Sequence, residues 1–313
     1  MRNVLQRQKH KKKEVTHQSF VKRNVIGSLK KVDVLFFVFF IVTTILLVFA
    51  EKQTSCLQSL LLRRGYILLA ILGFIYLNSL KNWTLLGILR NAYPIIFSGY
   101  FYSETVHYNN AFLDNIDPFL ENVEGYLFGM QPSVAFSAHF SSPILSELMY
   151  LGYFSFYLLI LGYTLNVFFW KKEYALKGIF LLSASLYLFY FFFGLVPSAG
   201  PQFYFSAPDN ILPDAYFFDK IMHFIQHAAE QPTGAFPSSH VGISLVILLL
   251  SRKRMPVFFR VALPFTVFLI LSTVYIKAHY VIDVIAAIIA APCVLCLSHI
   301  LYGIPSKYPD DGT

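Results

Sequence analysis

The chain has 313 residues, 56% hydrophobic and only 13% charged, with a formal net charge of +8 and a mean hydropathy of +0.57. So apolar a composition excludes an ordinary soluble domain and points to a membrane protein. Three cysteines build no disulfide framework: Cys56 stands alone, and Cys293 and Cys296 share an apolar run with no second ligand pair, so their spacing reads as a packed helix face.

Residues 1–31 form a basic arm, with Lys9, Lys11, Lys12, Lys13, Lys22, Arg23, Lys30 and Lys31 against Glu14. Such an arm is expected to stay cytoplasmic and touch anionic lipid; nucleic acid, its other use, is set aside because the rest of the chain is membrane-like. The apolar run at 32–50 has the ~20 residues that cross a bilayer. The arm before it is too long and basic for a cleaved signal peptide, so the run is read as a retained anchor. Residues 65–80 and 83–102 predict a second and a weaker third span, the latter with Arg90 and Pro94, making 32–102 a set of N-terminal membrane helices. Residues 103–143 carry Glu104, Asp114, Asp117, Glu121 and Glu124 without Lys or Arg, which predicts an extracytoplasmic, interfacial segment.

Further spans are predicted at 144–169, 174–196, 257–276 and 279–301, with a shorter helix at 237–251; residues 144–303 make one membrane domain and 304–313 a polar tail. Lys171, Lys172 and Lys177 fall in one connection, and Arg252, Lys253, Arg254 and Arg260 in another. The positive-inside rule puts both in the cytoplasm with the amino terminus, and the loop 197–236 outside. Lys52, Arg63 and Arg64, in the loop expected after the first span, run against this alternation. The expected fold is an all-α, polytopic membrane helical bundle, with a core of about six spans from 144 onwards and additional N-terminal helices.

Two strings carry chemistry. In GAFPSSHVG (234–242), Pro237, Ser238 and Ser239 make a helix start, where proline has no N–H to lose and serine hydroxyls cap free N–H groups. The N–H groups of Ser239 and His240 would face an anion such as phosphate, and a His240 imidazolium can protonate a leaving oxygen. In STVYIKAHYVIDVIAA (272–287), His279 and Asp283 are four apart, so on a helix they share a face, and a carboxylate bonded to one imidazole nitrogen leaves the other as a nucleophile towards phosphorus. A capping histidine and a structural His-Asp pair are the plainer readings, but buried ionisable groups in membrane spans favour function. Counting spans puts both histidines at outer helix ends. His223 and His227, with Asp219 and Glu230 nearby, could hold a metal, although packing or lipid contact is the more ordinary use of that spacing.

PSSH followed after 39 positions by HYVID resembles the type 2 phosphatidic acid phosphatase superfamily, whose longer signature is K-x6-RP, PSGH and SR-x5-H-x3-D. The resemblance implies that His279 forms a phosphohistidine, Asp283 orients it, His240 protonates the leaving group, and neither metal nor cofactor is used. Thr273 stands where the signature has Arg, and in GLVPSAGPQF (194–203) only Pro201 matches the RP element. Lys277 can restore one charge or snorkel to water. These losses, together with DPFLENVEGYLFGMQP (117–132) and ELMYLGYFSFY (147–157), make the chain similar to the inositol phosphorylceramide synthase branch, over residues 110–300. That branch implies a lipid phosphotransferase moving a phosphoinositol-type head group from a phospholipid to ceramide or another lipid alcohol. A phosphatase using water, and a non-catalytic lipid-binding protein or transporter, are the alternatives. His240, His279 and Asp283 are the expected catalytic residues; Ser238, Ser239, Gly234, Lys277 and Pro201 are expected to bind substrate.

Overall fold

The computed structural model describes residues 29–50, 56–80, 84–229 and 231–305. The basic arm to residue 28, Lys52, Glu230 and the tail from 306 lie outside the described residues. Among those described the chain is helical throughout, without a strand. In order it forms α1 (Lys31–Phe49), α2 (Leu57–Leu80), α3 (Thr84–Ile96), α4 (Ser98–Glu104), two 3₁₀ turns, α5 (Asp117–Phe128) and α6 (Pro132–His139). Then follow α7 (Pro143–Trp170), α8 (Lys172–Leu195), α9 (Pro201–Tyr204), α10 (Phe218–Ala229), α11 (Ser239–Arg254), α12 (Pro256–Tyr275) and α13 (Val281–Gly303). Pro132, Pro143, Pro201 and Pro256 open α6, α7, α9 and α12, at the position where a missing N–H costs nothing.

Six described helices are long and apolar enough to cross a membrane, namely α1, α2, α7, α8, α12 and α13. Two precede residue 143 and four follow it. The 16 residues of α11 make a fifth long helix there; at about 24 Å it is shorter than a ~30 Å hydrocarbon core. Its two ends carry His240 and the Arg252–Arg254 cluster, so the basic connection and that histidine lie at opposite ends of the bundle.

Helix α8 is the central pillar. Of its span 78% is buried, against 22–44% for the others, and it packs on α1, α3, α7, α11 and α13. Helices α7 and α12 meet most extensively because Gly152 lets them approach: a Cβ there would lie 2.1 Å from Ser272 Oγ and 3.0 Å from the Phe268 carbonyl. The N-terminal helices dock on α8 through aromatic rings, with Phe39 stacked on Tyr187 at 4.4 Å and Phe101 edge-on to both.

The structure changes three local readings. The expected span at 83–102 is broken at Phe97, between Pro94 and Gly99, into two short helices, α3 and α4. Arg63 and Arg64 are not in a loop, because α2 begins at Leu57. Arg64 is buried and ion-paired with Glu104 at 2.5 Å, so it says nothing about topology. Finally, Glu104, Asp117 and Glu124, in the segment expected to be interfacial, are buried within the protein, each accepting from a partner distant in sequence.

Candidate active site

Three connections meet at one end of the bundle: Pro197–Gly200 after α8, residues 231–238 before α11, and Ile276–Tyr280 between α12 and α13. Backbone bonds knit them, from Ala235 N–H to the Ser198 carbonyl (3.1 Å), Gln202 N–H to the Lys277 carbonyl (2.8 Å) and Ser238 N–H to the Asp283 carbonyl (3.2 Å). The Asp117 carboxylate tightens the first connection, accepting from the N–H groups of Ala199 (2.6 Å) and Gly200 (2.9 Å) and from the Ser198 hydroxyl (3.1 Å). Behind the second, Thr233 is held by the Asn109 amide at 3.0 Å and faces the Thr105 hydroxyl at 3.1 Å. The N-terminal part of the chain therefore braces this loop.

This framework brings His240 and His279 together, with His279 Nε2 3.4 Å from His240 Nδ1 and ring centroids 5.6 Å apart. His279 is buried, and its Nδ1 lies 2.9 Å from the Ala235 carbonyl. A carbonyl only accepts, so the neutral ring carries its proton on Nδ1 and its lone pair on Nε2. Asp283 Oδ2 is farther from Nδ1, at 3.5 Å, and accepts the Tyr280 N–H at 2.8 Å. The shared helix face expected for this pair is not what joins them: His279 precedes the Tyr280 cap of α13, while Asp283 is the third residue of that helix. The tautomer is thus set first by a backbone carbonyl, with the carboxylate behind it. His240 is clamped by two side chains of α7, stacked on Tyr153 at 4.6 Å and tilted against Phe156 at 4.4 Å.

The other expected site residues divide. Gly234 lines the same cleft as both histidines, with Gln202, Gln231, Tyr102 and Tyr153. The Ser238 hydroxyl is fully buried and caps α11 through the Val241 N–H at 3.3 Å, so it is used within the protein. Pro237 lies outside the helix, before that cap, and not in its first turn. Ser239 and His240 keep the first two N–H groups, which have no intrahelical acceptor. Pro201 is buried as the first residue of α9, beside the cleft rather than on its lining. The Lys277 ammonium donates to the Ile211 carbonyl at 2.6 Å and is buried, reaching neither water nor the cleft; burial lowers its pKa, against the pull of Asp209. Thr273, in the place of the signature arginine, bonds back to the Ile270 carbonyl of its own helix.

Among the described residues no group of three or more His, Cys, Asp or Glu side chains is placed to hold a metal. Of the expected cluster, Asp219 accepts instead from the N–H groups of Ala215 and Lys220, and Glu230 lies outside the described residues. Cys293 and Cys296 are exposed on α13.

Gly234 holds φ at +76°, and a Cβ there would lie 2.7 Å from the Phe193 ring. Gly234→Ala is therefore expected to push the neighbouring Ala235 carbonyl off His279 and cost about 10²-fold in turnover, the scale of a 1 Å misplacement. Unchanged turnover in a folded variant would show that this carbonyl does not hold the ring.

Glu124 of α5 lies under the start of α13, accepting from Ile282 N–H at 3.2 Å. Burial pushes its carboxyl from 4.5 up to about 7, against backbone bonds from Ile282 and Val281 that pull it down. The folded state binds this proton more tightly, so its contribution to stability is full below the unfolded value, is lost as pH rises to about 7, and is level above. Glu124→Gln is expected to remove that loss. Melting curves in detergent across this pH range would show it, and equal slopes in both proteins would sink the assignment.

A polytopic helical bundle with two histidines in contact beside a cleft at one end defines the class: a helical membrane protein with a paired-histidine site. The family model for the PAP2 superfamily, the type 2 phosphatidic acid phosphatases, matches residues 124–297, more than half of the chain, and the chain belongs to that family. A PA-phosphatase related-family protein of Dictyostelium discoideum is similar, 30% identical over 124 residues, which cover 38% of this chain and 22% of that protein. The chain thus matches about a fifth of the length of that relative. No solved structure matches. Members of the superfamily are phosphatases and phosphotransferases.

Sequence reasoning missed the Ala235 carbonyl, the Tyr153–Phe156 clamp and the Asp117 brace. The clamp had a signal, since residues 153 and 156 are three apart on one helix face within the segment of resemblance. The carbonyl had none, because any residue supplies one.

Proposed function

We propose that the protein is a metal-independent lipid phosphotransferase that moves a phosphoinositol-type head group from a phospholipid to ceramide or another lipid alcohol, through a phosphohistidine at His279. The observation that carries this is the chemistry of the cleft: beside the histidines its lining offers Gln202, Gln231 and Tyr153 and, among the described residues, no lysine or arginine. A phosphomonoester brings up to two negative charges, and a site without cations leaves them poorly compensated. A phosphodiester brings one, and neutral donors and acceptors suit the hydroxyls of a polyol.

In the first step the His279 Nε2 lone pair attacks phosphorus, the bond to the lipid oxygen breaks, and that oxygen takes a proton from His240. The Ala235 carbonyl and Asp283 stabilise the charge that the bonded ring acquires. In the second step the acceptor hydroxyl gives its proton to His240, its oxygen attacks phosphorus and the P–N bond breaks, restoring both histidines. The cleft is narrow, about 10 Å³, the scale of one water. A phosphorus ~3–3.5 Å from Nε2 takes the place His240 Nδ1 holds at 3.4 Å, so the two rings have to part as substrate enters.

The test is product analysis with the purified chain in nanodiscs holding ceramide and phosphatidylinositol labelled in its head group. The expected result is label on ceramide with release of diacylglycerol. Free phosphate as the sole product, from lipid phosphates and with ceramide present, would assign a phosphatase; no turnover at all, with lipid still bound, would assign a binding protein.

A further inference from the structure

A second cavity, of about 470 Å³, opens between the N-terminal helices and α7. Ile88, Ala92, Ile95 and Gly99 form its wall on α3 and α4, and Tyr157 and Ile160 face them from α7. It reaches Ser239 and His240, and it shares Tyr102 and His240 with the polar cleft. Two of its hydroxyls are spent on nearby backbone, Ser98 at the start of α4 on the Ile95 carbonyl of α3 at 2.6 Å and Thr164 on the Ile160 carbonyl of its own helix at 2.7 Å. The groove therefore presents hydrocarbon.

We infer that α3 and α4 form one wall of a groove that holds the hydrocarbon tail of the donor lipid, so that helices outside the family match select the tail while the cleft selects the head. The inference rests on the reading of His240 as the group that protonates the leaving lipid oxygen. That oxygen is where head and tail join, and His240 is where the polar cleft and the apolar groove meet. A water-soluble phosphate ester would leave the groove unused. Within a bilayer a tail gains nothing from leaving one hydrocarbon surface for another, so selection comes from the fit of chain to groove.

Gly99 supplies the test, because a Cβ there meets nothing within 4 Å, and Gly99→Phe fills the groove without crossing packed atoms. Gly73→Phe, on an exposed and equally open position of α2, is the control. The probe is a phosphatidylinositol with a diazirine in one acyl chain, in phosphatidylcholine nanodiscs with the full chain, and its crosslinks are mapped by peptide mass spectrometry. Crosslinks are expected on α3 and at Tyr157 and Ile160, to be competed by unlabelled phosphatidylinositol, and to be lost in Gly99→Phe but kept in Gly73→Phe. In turnover, Gly99→Phe is expected to shift preference towards shorter tails on the order of tenfold, the scale of a methylene or two in an apolar pocket. Crosslinks spread equally over α2 and α3, or unchanged by Gly99→Phe, overturn the inference. Crosslinking needs no turnover, so a protein that captures the tail but transfers no head group would end the functional proposal and leave this one standing.

Discussion

His279→Ala is expected to abolish head-group transfer, with a loss on the order of 10⁴-fold or more, because it deletes the nitrogen proposed to bond phosphorus. His240→Ala is expected to cost about 10²–10⁴-fold, the usual worth of a positioned acid or base. The two losses should respond differently to the leaving group. An aryl phosphodiester, whose phenolate departs without a proton, should recover much of the activity of His240→Ala in the first step and none in His279→Ala. Matched rescue of both variants would mean that the roles are not divided as proposed, and unchanged turnover in either would end the mechanism. Lipid binding and expression report whether each variant is folded, since neither ring is a structural prop comparable to Gly152 or Arg64.

The histidine pair was legible as PSSH and HYVID because those strings lie at helix starts, where local sequence and geometry are tightly coupled. What surrounds the pair was less so. Lys277 looked available as a cation, but its ammonium is spent on the Ile211 carbonyl, 66 residues back in the chain. The acids of 103–143 read as an interfacial segment because charge counting carries no record of which side chains are buried within the protein. Glu104 instead answers Arg64, 40 residues earlier, and Asp117 answers the N–H groups of residues 199 and 200. Such pairings are set by which helices pack together, and a local window carries no record of them. The helices of the bundle were legible for the opposite reason, since runs of about twenty apolar residues have few ways to satisfy their backbone in a bilayer. The third predicted span failed at Phe97 because the pattern of apolar residues there runs through a break that Pro94 and Gly99 allow.

Arg64→Met is expected to destabilise the protein by about 3–5 kcal/mol, the cost of leaving a buried carboxylate without its partner. The guanidinium is fully used: it donates to Glu104 at 2.5 Å, to the Phe40 carbonyl at 3.0 Å, and to Thr44 and Thr43 at 2.6 and 3.1 Å. One side chain on α2 thereby ties α1 to α4. Removing it leaves Glu104 buried beside the Tyr100 hydroxyl, whereas the two threonines keep their bonds to the Phe39 and Phe40 carbonyls. Arg64→Met with Glu104→Gln is therefore expected to recover most of the loss, because the amide still accepts from Tyr100 and no charge remains to be neutralised. Thermal unfolding in detergent measures both steps. A single variant as stable as the parent, or a double variant no better than the single, would show that the pair is not what holds these helices. Helix α4 also carries Gly99 and Tyr102 on the apolar groove, so a weakened α4 should blunt discrimination between donor tails before it touches the chemistry of His279.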